Sequence, residues 1–180
     1  MNKLLQLSVA VMAMVWSLVL PVKAEPLLLD ADDVIAITQQ LEQRPLAAEA
    51  HELRQQLFEW TRDSDAVLIS VCDILGPLPS RQELPYGKEL LVQSFFGNAA
   101  FQLQHPDSKQ DVFKTQMAGV SSMLRAYANI IKEDDGAHIA EYDHWLTLLN
   151  AGTLAKALRA DIASKCMPDS SDANQFAYRF

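Results

Sequence analysis

Phe113, Met117, Val120, Leu124, Tyr127 and Ile131 recur at alternating spacings of four and three. This rhythm returns side chains to one face of an α-helix over nearly three heptads, and a β-strand cannot present it. It predicts one long helix with a single buried face. Ser108 with Asp111 three residues later approximates a capping box, and Gly136 suits a left-handed stop. The helix is expected from Ser108 to Asp135.

The same rhythm recurs elsewhere. Leu46, Ala50, Leu53, Leu57 and Trp60 make a second seam, with Pro45 placed for its first turn. Val92, Phe96, Ala99 and Leu103 mark a helix from Lys88 to His105, ended by Pro106. Gly97 sits inside that helix, where glycine costs about 1 kcal/mol relative to alanine. Close approach of another helix is the physical reason to keep it. Shorter helices are expected on Val34, Ile37 and Leu41 after Asp30, on Ile139 to Leu149, and on Leu154 to Cys166. The dense run Val67 to Leu75 is compatible with a strand by composition, but its Leu68, Cys72, Leu75 spacing favours helix. The stretch Gly76-Pro77-Leu78-Pro79-Ser80 that follows it reads as a loop. With no alternating run flanked by a two-residue turn and no repeat, the chain is expected to be all-α, a compact bundle of six or seven helices.

The first 24 residues read as a cleaved export signal: Lys3, an apolar stretch from Leu4 to Leu20, Pro21, then Val22-Lys23-Ala24. The expected divisions are a signal peptide at 1–24, a helical domain at 25–167 and a flexible C-terminal tail at 168–180. Export implies a periplasmic or secreted location, in the bacterial style of this h-region and cleavage site. In such a compartment the two cysteines, Cys72 and Cys166, are expected to form one disulfide, worth about 4–5 kcal/mol in the chain-entropy model. Both lie on apolar stripes, so the bridge would pin the last helix against the third element. Loss of Lys3 and Lys23 with the signal shifts the formal net charge from −8 to −10. That charge repels nucleic acid and anionic membrane surfaces and suits a basic partner, a protein or a small molecule. No membrane association is expected once the signal is cleaved.

Few residues suggest chemistry. The segment from Glu133 to His144 gathers two of the four histidines among five carboxylates. His138, Glu141 and His144, with a carboxylate such as Asp134, are the residue types that bind Zn²⁺. Their spacing is poor, because His138 and His144 lie about 240° apart around a helix. No nucleophile elbow, P-loop, G-x-G-x-x-G, H-E-x-x-H or C-x-x-C is present. No catalytic residue and no cofactor are therefore expected. Asn98 and Gln102, one turn apart between apolar neighbours, are expected to line a polar pocket, face solvent or satisfy one another. Arg125 is expected to be exposed, Tyr127 at the core edge, and Trp60 and Trp145 in the core.

Phe176, Tyr178 and Phe180 alternate. This fragment resembles the terminal signature of outer-membrane β-barrel proteins, but nothing upstream supplies the alternating strands of a barrel. A short aromatic tail that docks on its own groove, or on a partner, fits the composition better. Taken together, the sequence points to an exported binding or interaction module of the bacterial envelope. The alternative is a metal-assisted hydrolase using His138, Glu141 and His144.

Overall fold

A computed structural model describes residues 29–78 and 84–167. The expected signal peptide and the expected tail lie outside the described residues. Seven α-helices follow one another: α1 (Ala31–Gln43), α2 (Ala50–Asp63), α3 (Gly87–Gln104), α4 (Val112–Glu133), α5 (Ala140–Asn150), α6 (Leu154–Ala157) and α7 (Arg159–Cys166). Two single 3₁₀ turns, Pro106–Ser108 and Asp135–Ala137, bracket α4. The described residues contain no β-strand, so the chain is an all-α bundle.

Local chemistry explains the ends. Asp30 and Asp33 form a reciprocal capping box at α1, in which each side chain accepts the other residue's backbone N–H. α4 starts later than expected. Asp111, not Ser108, accepts the Lys114 N–H at 3.0 Å, while Pro106 to Ser108 close a separate turn. α2 also starts late, at Ala50, because residues 44–49 form turns in which Ala47 and Ala50 bond back to Arg44 and Ala47. The final segment is broken at Leu158 into α6 and α7.

α3 and α4 form the spine. A Cβ on Gly97 would lie 2.1 Å from the Ser122 Cβ, and one on Gly119 would lie 2.6 Å from the Ser94 carbonyl oxygen. The helices thus meet backbone to backbone, and the expected reason for Gly97 holds. Two apolar cores flank this spine. One gathers Val120, Met123, Leu124, Tyr127 and Ile130 of α4 with Tyr142, Leu154 and Ile162. The other joins Val34, Leu41, Ala50 and Leu57 to Phe96. α3 therefore buries residues on every side.

The run from Val67 to Leu75 is not helical, contrary to expectation. From Val67 to Cys72 it contains no turn or bend, and we call it the strap. Its β-branched residues Val67, Ile69 and Val71 disfavour helix. Leu68, which a helical seam would bury, is 67% exposed. The Cys72–Cys166 disulfide, with Cα atoms 5.4 Å apart, fastens the end of the strap to α7. The last helix is pinned to the third element as expected, although that element is extended chain.

Candidate functional site

Of the three residues proposed as metal ligands, the fold joins none to another. His138 follows the turn after α4, and its Nδ1 lies 2.9 Å from Asp143 Oδ1; its Nε2 is 3.7 Å from Asp135. Glu141 points elsewhere: a Cβ on Gly76 would lie 2.7 Å from its Oε1, which sets it against the turn that follows the strap. His144 is exposed on α5. Among the described residues no three His, Cys, Asp or Glu side chains form a metal-holding group. Asp134 is engaged separately, accepting from the Tyr86 hydroxyl at 2.9 Å and from the Gly136 N–H.

The His138 cluster instead joins α4 to α5. The fully buried Tyr127 donates from its hydroxyl to Asp143 Oδ1 at 2.7 Å and accepts the Ile139 N–H at 2.8 Å. Desolvation, and then the bond to Asp143, push the Tyr127 hydroxyl up to about 12. Desolvation also pushes Asp143 upward, but hydrogen bonds from Tyr127 and His138 together outweigh it, and its carboxyl ends below the usual range.

A second polar cluster ties α1 to the spine. Glu42, 8% exposed, receives a two-pronged contact from Arg125 at 2.6 and 2.7 Å, and Ser122 donates to it at 2.6 Å. Gln93 donates to Ser122 and to the Thr38 carbonyl, and Asn129 donates to the Glu42 carbonyl. Every member has a partner, which is the condition for a buried network to stabilise rather than destabilise. Arg125 is half exposed, as expected, but it is held in an ion pair. Tyr127 lies deeper than the expected core edge. Trp145 is in the core, whereas Trp60 is half-buried and donates to the Leu29 carbonyl.

The strap differs from both clusters. Gln102 of α3 accepts the Leu68 N–H at 3.0 Å and donates to the Leu68 C=O at 2.8 Å. Both main-chain groups of one residue point the same way only in extended backbone, so Gln102 imitates a neighbouring strand. Gln102 also donates to Asn98 Oδ1 at 2.7 Å, so these two amides satisfy each other, one of the roles expected for them. Gln116 of α4 donates to the Ser70 C=O at 2.7 Å. The main-chain groups that face the helices are therefore those of Leu68 and Ser70, whose side chains are exposed. By the period of extended chain, the N–H and C=O groups of Val67, Ile69 and Val71 face the other way. Among the described residues these three have no main-chain hydrogen bond. The strap is extended chain with one edge held by amides and, among the described residues, no hydrogen bond on the other.

In comparisons with protein-family models, curated proteins and solved structures, nothing matches this chain. The geometry of the strap therefore carries the functional reading.

Beside the open edge lies a cavity of about 330 Å³. Phe58, Phe95 and Leu68 give it apolar walls, and Arg62, Asp63, Asp65 and Lys109 give it charged ones of both signs. Phe58 and Leu68 are two of the three large exposed hydrophobic side chains among the described residues. Lys109 donates to the Ala66 carbonyl and fixes the strap's entry. Backbone groups in need of partners, exposed apolar side chains and a cavity are thus adjacent. Of the two amides that hold the strap, the sequence singled out Gln102 but not Gln116, and it did not reveal the strap itself, because Gln102 and Leu68 are 34 positions apart.

Proposed function

We propose that this chain is a binding module whose strap face takes an extended polypeptide segment, and that it works in an exported, periplasmic or secreted setting. The edge of Val67, Ile69 and Val71, which makes no main-chain hydrogen bond among the described residues, is the observation that carries the reading. An unpaired strand edge supplies main-chain hydrogen bonds to an added strand, while adjoining pockets select alternate side chains. The cavity beside Leu68 is placed for such a side chain. The acidic net charge favours a partner with basic residues between apolar ones. The disulfide is compatible with an oxidising compartment, and the export signal expected at residues 1–24 agrees with it.

Panning a displayed random 12-residue peptide library on the purified chain tests the reading. Peptides with alternating apolar and basic residues should be enriched and should lose binding at least tenfold on Leu68→Asp. Equal enrichment on wild type and Leu68→Asp would refute it.

A further inference from the structure

We infer that the groove between α4 and the turn from α5 to α6 binds a free fatty acid, with the alkyl chain against Met117 and Leu154 and the carboxylate at Lys114. The groove shares no lining residue with the cavity beside the strap, so this site is separate from the one proposed above.

Four helices build the groove. Phe101 of α3, Phe113 and Met117 of α4, Leu149 of α5 and Leu154 of α6 line a cavity of about 390 Å³. That volume falls within the roughly 300–1,000 Å³ of small-ligand sites. Gly152 ends α5 with a left-handed φ of 68°, and the turn it makes brings Leu154 and Ala155 to the far wall. Leu154 is buried, whereas Phe101, Phe113, Met117 and Leu149 are only partly buried and keep apolar surface toward the groove. Along α4 the lining runs from Phe113 to Ser121, about 12 Å at the rise of an α-helix. An extended alkyl chain suits an apolar trough of that length.

Charge decides the head group. The chain carries 23 acidic and 15 basic residues, yet among the described residues that line the groove the one charged side chain is Lys114, and no carboxylate is present. A second cation stands at the same end, where the Arg159 guanidinium lies 4.1 Å from the centre of the Phe113 ring. Lys114 Nζ is 3.1 Å from Asp111 Oδ2, but both side chains are well exposed, and a surface pair of this kind holds a lysine weakly. The flexible four-carbon stem lets the ammonium turn from Asp111 to a ligand carboxylate at the mouth of the groove. Apolar walls along two turns of α4, with cations at one end, match a molecule with one apolar chain and one anionic head. The acidic surface elsewhere repels an anionic bilayer, which favours the free acid over a lipid held in a membrane.

Calorimetric titration of the full chain with sodium octanoate, decanoate and dodecanoate, each below its micelle-forming concentration, tests the inference. One saturable site is expected, with affinity rising roughly fourfold for each methylene added until the groove is full. Decanol should bind at least tenfold more weakly than decanoate, and Lys114→Gln should erase that difference. Ala155→Trp fills the groove from an exposed position on α6, so it should weaken dodecanoate at least tenfold with little change in folding. Amide chemical shifts should move on binding at Met117, Ser121 and Leu154. Absence of a saturable site, or an affinity independent of chain length, would overturn the inference. Shifts that map to Phe58 and Leu68 would do the same, as would binding to anionic phospholipid vesicles but not to the free acids. Shifts at Met117 and Leu154 that follow protein concentration and ignore fatty acid would also overturn it, since a second copy of the chain would then fill the groove.

Discussion

The α3–α4 spine and the strap pass within a few residues of each other and are held by opposite means. The two helices satisfy their own backbone, so glycines at positions 97 and 119 let them pack with little intervening side chain. The strap has no such internal bonding. Its backbone depends on Gln102 and Gln116, two amides rooted in the helices, and on one disulfide. Among the described residues, those partners reach one edge only. The difference teaches that an irregular segment over a helical core is completed as far as side chains extend, and remains available for binding beyond them.

The comparison breaks most completely at the disulfide. Cys72→Ser with Cys166→Ser releases a loop of 94 residues and should cost about 4 kcal/mol, read by urea unfolding. If the strap is anchored as described, amide exchange in that variant rises first at Leu68 and only later in the spine. On the helical side, Gly119→Ala drives a methyl group into the Ser94 carbonyl and should cost about 3 kcal/mol, because two backbones must separate. Gln102→Met keeps the side-chain volume but removes the bonds to Leu68 and Asn98. It should cost about 2 kcal/mol and expose the Leu68 amide to exchange, while the α4 amides remain protected.

Tyr127 adds a pH signature that belongs to the helices alone. Its folded-state value of about 12 exceeds the ordinary 10, so its contribution is complete below pH 10 and is lost as pH rises from 10 to 12. Tyr127→Phe should remove that part of the alkaline loss. It should also lower stability at neutral pH by about 1–2 kcal/mol, since the Ile139 N–H loses its partner. Asp143 works in the opposite direction: its lowered carboxyl stabilises the fold at neutral pH, and that contribution fades as pH falls below the usual carboxylate range. The smallest effect on folding is expected at Leu68. Leu68→Ser removes an exposed side chain and should change stability by less than about 0.5 kcal/mol while abolishing peptide capture.

Much of the helical framework was legible because its signals are local. Asp30 and Asp33 announce the start of α1, the seam from Phe113 to Ile131 lies within α4, and Gly97 signalled close helix approach. Competing local signals shifted boundaries: Ser108 and Asp111 were both plausible caps, and Pro106 drew Ser108 into its own turn. The strap was misread because Leu68, Cys72 and Leu75 fall at helical spacing by composition alone. The amides that keep it extended come from 34 and 46 positions away. The Glu42–Arg125 pair spans 83 positions and left no mark in the local pattern. The histidine-rich segment offered metal-binding residue types, but a 3₁₀ turn at Asp135–Ala137 and the start of α5 send His138, Glu141 and His144 in different directions.

The most direct test of the central claim is residue-resolved amide exchange along the strap of the full chain. The account predicts alternation: a slow Leu68 amide held by Gln102, and Ile69 and Val71 amides exchanging near the free-chain rate. Uniform protection from Val67 to Val71, as in a helix, or uniform exposure including Leu68, would contradict it.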